Sequence, residues 1–242
     1  MKIGFNLGIV LLLSVWTALA AYLLYADIKD NREQAHIKDI LKAGELFDNH
    51  LIYRQWAARN GGVYVPVSDH TPPNPYLDFI ENREIVSQQG DTFTLVNPAY
   101  MTRQVLKMSL EQQGKYGRVL SLKPLNPGNS PDSTERVALD NFAKGDSVFV
   151  RIKDTNNSRY LRYIKPLIVE KTCMKCHRQQ GYEPGDIRGG LSISIPTSGN
   201  SQILKAHNRK SVIFYGLIWG SGMIILLFVL LRLRKNARKK QE

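Results

Sequence analysis

Cys173 and Cys176 are the two cysteines of a 242-residue chain, and His177 follows them directly. In KTCMKCHRQQGY, residues 171–182, they spell C-x-x-C-H, the attachment signature of c-type haem. Two thiols with two residues between them can add across the two vinyl groups of one porphyrin, and the next residue then holds its imidazole under the ring, aimed at the iron. Three other readings compete. A redox C-x-x-C pair would open a helix after a strand, where a helix N-terminus stabilises the thiolate. A zinc site needs four ligands, and there is no second cysteine pair to supply them. A disulfide across two intervening residues would be strained. Haem attachment leads if the segment is exported, because covalent attachment is an export-side process.

Topology therefore decides, and two apolar runs address it. Phe5 to Tyr25 and Ser211 to Leu231 are uncharged and about as long as the roughly 20 residues a membrane-crossing helix needs. Neither has the polar face of a helix packed on a soluble core. The tail Arg232 to Glu242 carries six basic residues and is expected in the cytoplasm by the positive-inside rule. Two spans return the N-terminus to that side and leave residues 27–210 in the periplasm or its equivalent. Ala18-Leu19-Ala20 resembles a cleavage site, but the apolar run continues to Leu24, which favours an uncleaved anchor.

The net charge of +12 divides in the same way. Without Lys2 and the tail, 26 basic face 20 acidic residues, and the densest basic cluster abuts a span, where it can touch anionic lipid. Nucleic acid is not an expected partner.

The exported part is the size of one domain. Asp27 to Arg59 contains no proline and reads as a long helix continuing from the first span. Ile37, Ile40, Leu41, Phe47, Leu51 and Ile52 recur at helical spacing. That stripe serves either packing on the chain's own domain or pairing in a homodimer. Gly61-Gly62 ends the helix and Val63 to Val67 alternates like a strand. Thr71 to Tyr76 and Pro124 to Asp132 are rigid loops, and Asn97 to Lys115 is a helix with Pro98 in its first turn. Ser147 to Ile152 and Arg159 to Val169 form a hairpin through KDTNNS, and Gly189 to Pro196 is a last strand. The fold class is α+β. The expected segments are 1–26 (first span), 27–60 (juxtamembrane helix), 61–200 (periplasmic domain), 211–231 (second span) and 232–242 (tail).

YRQWAARNGGVYVPV, PPNPY, LVNPAYMTRQ, LNPGNSPD, LRYIKPLIVEKTCMKCH and QGYEPGDIRGGLSISIP, in this order, resemble a family of periplasmic c-type haem sensor domains over residues 45–197. The resemblance implies a five-stranded antiparallel PAS-like sheet cradling one covalent haem, in a membrane-anchored protein that senses redox state or a diatomic gas. Relatives often place a kinase, methyl-accepting or cyclase domain after the second span. Here eleven residues follow it, so the signal is expected to pass to a partner. Some relatives use a cysteine as second axial ligand, which thioether formation would rule out here. Asn60 stands where many relatives carry histidine.

The sixth coordination position is open. Met101, within the family-like NPAYMTRQ, is the first candidate, since a thioether suits a c-type haem. His50 is second. Met108, on the same helix face two turns on, His70 and His36 are weaker, and water or a vacant position would suit a gas ligand. Arg162 and Arg188 are candidates for the haem propionates, or else surface charge. Tyr163 and Tyr182 could pack on the porphyrin or in the core. Gly189 and Gly190 suit a turn or a close approach to the macrocycle. No hydrolytic triad, P-loop or dinucleotide fingerprint is present, so an enzyme is the least expected class. A sensor module leads, with a monohaem electron carrier as the alternative.

Overall fold

The computed structural model describes residues 2–154 and 159–239, apart from the side chains of residues 2–7, Cys176, Asn200 and 237–239. It divides into two compact units, one made of 1–38 with 198–242 and the other of 39–197.

The first unit is helical. It holds the beginning of α1 (Lys2–Arg59) and α5 (Gln202–Lys239), both long and apolar enough to cross a membrane. The two helices lock through their tryptophans. Trp16 Nε1–H donates to the Trp219 carbonyl at 3.0 Å, and Trp219 Nε1–H donates to Thr17 Oγ1 at 3.1 Å. Gly222 makes room for the Trp16 indole, since a Cβ there would lie 2.2 Å from a ring carbon. In an apolar surrounding, such paired donors are what hold helices together.

The second unit is α+β, as the sequence indicates. It begins within α1, where Ala43, Phe47 and Ala57 are fully buried. The sequence division at residue 60 thus separates a helix segment that packs as part of the domain. Gly61 and Gly62 close α1, with the Gly62 N–H bonded to the Ala57 carbonyl at 2.8 Å. β1 (Val63–Pro66), β3 (Thr92–Val96) and β2 (Glu84–Val86) then make a small antiparallel sheet in the order β1-β3-β2.

The main sheet is antiparallel and runs β4-β7-β6-β5, from β4 (Tyr116–Leu120), β7 (Ile187–Pro196), β6 (Arg159–Ile168) and β5 (Phe149–Asp154). It has four strands, not the five that the resemblance implied. Beside β4, where a fifth would add, the 127–130 loop accepts the donors instead. The Arg118 side chain bonds the Gly128 carbonyl at 2.9 Å, and the Ser121 N–H bonds the Asn129 carbonyl at 2.9 Å. The turn expected to join β5 and β6 includes residues 155–158, which lie outside the described residues.

Alternation along the strands gives the sheet two different faces. On one, Ala43 and Phe47 of α1 and Leu106 of α2 (Pro98–Gln113) pack on Leu161, Leu191 and Ile193. Burying Phe47 alone contributes about 1.5–3 kcal/mol. On the other, Ala138, Leu139 and Phe142 of α3 (Ser133–Phe142) cover Leu120 and Ile164. Arg162 shares this second face and pairs there with Asp132 at 2.7 Å.

Of the candidate dimer stripe, Ile40, Phe47 and Leu51 pack on the domain's own core. Leu41 and Ile52 are exposed, with Tyr53 and Trp56 beside them.

Candidate functional site

β6 ends at Ile168, and the chain leaves the sheet before returning as β7. Two bonds pinch the neck of this excursion: Val169 N–H to the Asp186 carbonyl at 2.8 Å, and Gly185 N–H to the Val169 carbonyl at 2.9 Å. Within it a 3₁₀ turn (Lys171–Cys173) runs into α4 (Met174–His177) and a second 3₁₀ turn (Arg178–Gln180). Residues four apart on such a helical run share a face, so residues 173 and 177 are brought to one side. The side chain of Cys176 lies outside the described residues. Glu170 anchors the start of the run to α1 by accepting from Gln55 Nε2 at 2.8 Å. α4 is four residues long, too short to supply the dipole that a redox-active thiolate needs.

Cys173 and His177 line two adjoining clefts that open to solvent. Both clefts are also lined by Arg54 of α1, by Asn97 and Ala99 at the start of α2, and by Leu167 at the end of β6. The α2 N-terminus is therefore part of the wall. Asn97 caps it by accepting from the Tyr100 N–H at 2.9 Å, and the helix dipole adds positive potential.

The cleft is cationic. Arg54 donates to the Pro98 carbonyl at 3.3 Å and to Thr102 Oγ1 at 3.1 Å, both neutral acceptors. Burial pushes it down to about 10, opposed by the charge of the Cys173 thiol group and assisted by Arg188. It stays protonated at neutral pH. Arg103 and Arg188 line the first cleft as well. Arg188 stacks 4.9 Å over the Tyr182 ring, and burial lowers its pKa while Tyr182 raises it. Burial also lowers His177; a bond with Gln180 opposes this, and Arg188 and Arg54 add to it. The imidazole is thus held neutral, the state a metal ligand requires.

The structure gathers Cys173, His177, Arg188 and Tyr182 at one site. It places the others elsewhere. Arg162 is engaged under α3 with Asp132 and, at 3.7 Å, Glu135, so it does not reach the cleft. Tyr163 is a core residue, edge-on to Phe47 with ring centroids 6.4 Å apart. Met101, Met108, His50 and His70 line neither cleft. Met108 is exposed, and His50 is half-buried with its pKa lowered by burial and by Arg54. His36 belongs to the helical unit. Asn60 donates to the Trp56 carbonyl at 2.9 Å, closing the end of α1. Gly189 and Gly190 sit inside β7 and make no turn. A Cβ on Gly189 would lie 1.9 Å from the Leu120 carbonyl oxygen, so the close approach there is to the neighbouring strand.

The model of the Tll0287-like family matches residues 51–196, from the α1 turn that carries Arg54 to the end of β7. The chain belongs to the Tll0287-like family. The match covers the whole cleft and falls within the span over which the motifs carried the resemblance. Among solved structures, the cyanobacterial haem protein Tll0287 aligns at 17% identity and a TM-score of 0.42, over 66% of this chain and 94% of that one. No curated protein sequence matches.

Proposed function

We propose that this chain is a membrane-anchored haem protein. In this reading it holds one haem c through Cys173 and Cys176, with His177 as the axial ligand. The observation that carries the proposal is the meeting of the C-x-x-C-H turn with a cleft lined by Arg54, Arg103 and Arg188. The residues fit the group. Arg54 is a half-buried guanidinium with neutral hydrogen-bond acceptors, the counterpart a propionate carboxylate would satisfy. Arg188 offers a second, and Leu167 and Ile168 offer apolar wall to the macrocycle.

When bound, the haem iron supplies one-electron redox chemistry and a coordination position for a small ligand. The chain's own residues orient and enclose it. His177 presents a neutral imidazole, Arg54 and Arg188 hold anionic groups, and the capped α2 N-terminus adds positive potential. Among the described lining residues there is no methionine and no second histidine. This favours an accessible distal position, and with it sensing of redox state or a diatomic gas over electron carriage. The two apolar helices serve as anchors, with the domain on the periplasmic side and both termini in the cytoplasm, as the basic tail suits. α1 is continuous from the first span to Arg59 and is the element through which a signal would travel. Its exposed Leu41, Ile52 and Trp56 offer a face to a second copy or to a signalling partner.

Haem staining of the denatured, purified protein tests the central claim. Staining is expected for the native chain and lost in the Cys173→Ala, Cys176→Ala double variant. A native chain that carries no covalent haem when produced with an export-side attachment system would sink the proposal.

A further inference from the structure

His177 has two ring nitrogens, and only an unprotonated Nε2 can take a metal while Nδ1 carries the proton. The surroundings of Nδ1 hold contradictory instructions. Gln180 Oε1 lies 2.8 Å from it, and Arg188 Nε–H points at it from 3.2 Å. An amide oxygen there demands a proton on Nδ1, whereas an Arg donor demands a lone pair.

The other end of the Gln180 amide resolves the conflict. Gln180 Nε2 donates to the Lys123 carbonyl at 3.2 Å. A flipped amide would set oxygen against that carbonyl and lose the bond, so Oε1 must face the imidazole. The Lys123 carbonyl is itself held in place. Lys123 precedes Pro124, which restricts its backbone to extended conformations, and its N–H donates to Ser121 Oγ at 3.0 Å. Ser121 is 2% exposed, and its N–H is tied to the Asn129 carbonyl. Gln180 stands three residues after His177 on a helical run, where i and i+3 side chains share a face, and Gly181 ends that run at φ 79°.

We infer that Gln180 is a positioning residue. Anchored by the Lys123 carbonyl, it holds the proton on His177 Nδ1 and so frees Nε2 for the haem iron. The inference rests on the haem reading above and extends it. It leaves the Arg188 Nε–H without a lone pair to bond. Arg188 keeps its contacts with the Ser121 hydroxyl and the Tyr182 ring, and its fork is open to an anion in the cleft.

The test is the midpoint potential of the full-length, haem-loaded chain and of Gln180→Glu and Gln180→Leu, each checked for covalent haem by staining. A carboxylate accepts more strongly from Nδ1–H, makes the imidazole a stronger donor to iron and lowers the potential. Leucine removes the acceptor, leaves the imidazole a weaker donor to iron and raises it. Opposite shifts from the native value are the expected result, with Gln180→Asn, too short to bridge His177 and Lys123, falling on the leucine side. A shift of one sign in both, or none in either, with haem retained overturns the role of Gln180. Absence of covalent haem from the native chain would instead refute the haem reading itself.

Discussion

Arg54 donates to Thr102 Oγ1 at 3.1 Å, and the Thr102 hydroxyl in turn donates to the Pro98 carbonyl at 2.6 Å. The pair joins α1 to the first turn of α2 at the wall of the cleft. Both acceptors of the guanidinium are neutral, and no ion pair to Arg54 is formed among the described residues. A half-buried cation left this way would be stabilised by an anion that meets it.

Arg54→Gln removes that cation while keeping a polar side chain of similar reach. Thioether attachment should survive, since neither thiol is touched. Loss of positive charge beside the iron favours the oxidised state, so the midpoint potential should fall, with Arg54→Lys between Gln and native. Because Arg54 is pushed only to about 10, the difference should be constant through the neutral range. Spectroelectrochemical titration checks this, and an unchanged potential in Arg54→Gln would remove Arg54 from the site.

Asp132 sets the acid sensitivity of the opposite face of the sheet. It caps α3 by accepting from the Glu135 N–H at 2.8 Å and pairs with Arg162 at 2.7 Å. Burial alone would raise its pKa, but the Arg162 hydrogen bond, the Glu135 N–H and the charges of Arg162 and Lys153 outweigh it and lower the carboxyl below its ordinary value. The folded state then binds fewer protons than the unfolded one. The stabilisation is full above the ordinary carboxylate pKa and is lost as pH falls through the lowered one. Urea unfolding should show Asp132→Asn less stable than native near neutrality, with the gap closing in acid. Asp132→Ala also loses the cap and should lie about 1 kcal/mol below Asp132→Asn. A gap that persists unchanged into acid would mean that the charge contributes nothing.

Legibility in the sequence followed the range of the signals. α2 was readable from Asn97 and Pro98 to within two residues of its end, because capping is local. β5, β6 and β7 were readable from alternation. β2 and β3 were not, since three- and five-residue strands are too short to carry a period. α3 was hidden inside the stretch after the 124–132 loop, although Asp132 and Glu135 form a capping box that could have revealed it. At the site, the thiol–imidazole turn was explicit. Arg54 was not identified, yet it falls seven residues after Phe47 and three before Ala57, on the buried stripe of α1. A charge on an apolar stripe was the signal. Arg162 misled for the converse reason: alternation puts residues 161 and 163 on one face and 162 on the other, but a sequence does not say which face holds the ligand.

Gly189→Ala tests how tightly β4 and β7 close the end of the cleft. The added Cβ would lie 1.9 Å from the Leu120 carbonyl oxygen and 3.0 Å from its carbon, both backbone atoms that cannot rotate away. The strands must separate, at a cost of about 1–3 kcal/mol for overpacking. The displaced residues include Arg188 and Ser121, so a lower urea midpoint should come with weaker haem retention or an altered Soret band. A native-like midpoint for Gly189→Ala would show that the strands are less closely set.

The distal position can be judged from Met101 and His50. Met101 lies on α2 between Ala99 and Arg103, which line the first cleft, yet it lines neither cleft itself, and His50 is one turn of α1 before Arg54 and likewise lines neither. If neither supplies a sixth ligand, Met101→Ala and His50→Ala should leave the oxidised and reduced absorption spectra unchanged. The native reduced protein should then shift promptly under carbon monoxide, because no strong side-chain ligand has to be displaced. Loss of a thioether charge-transfer band in Met101→Ala, or a reduced native spectrum indifferent to carbon monoxide, would mean that a ligand closes the distal side. Electron carriage would then displace gas sensing as the proposed function, because a permanent sixth ligand suits electron transfer and blocks the entry of a gas.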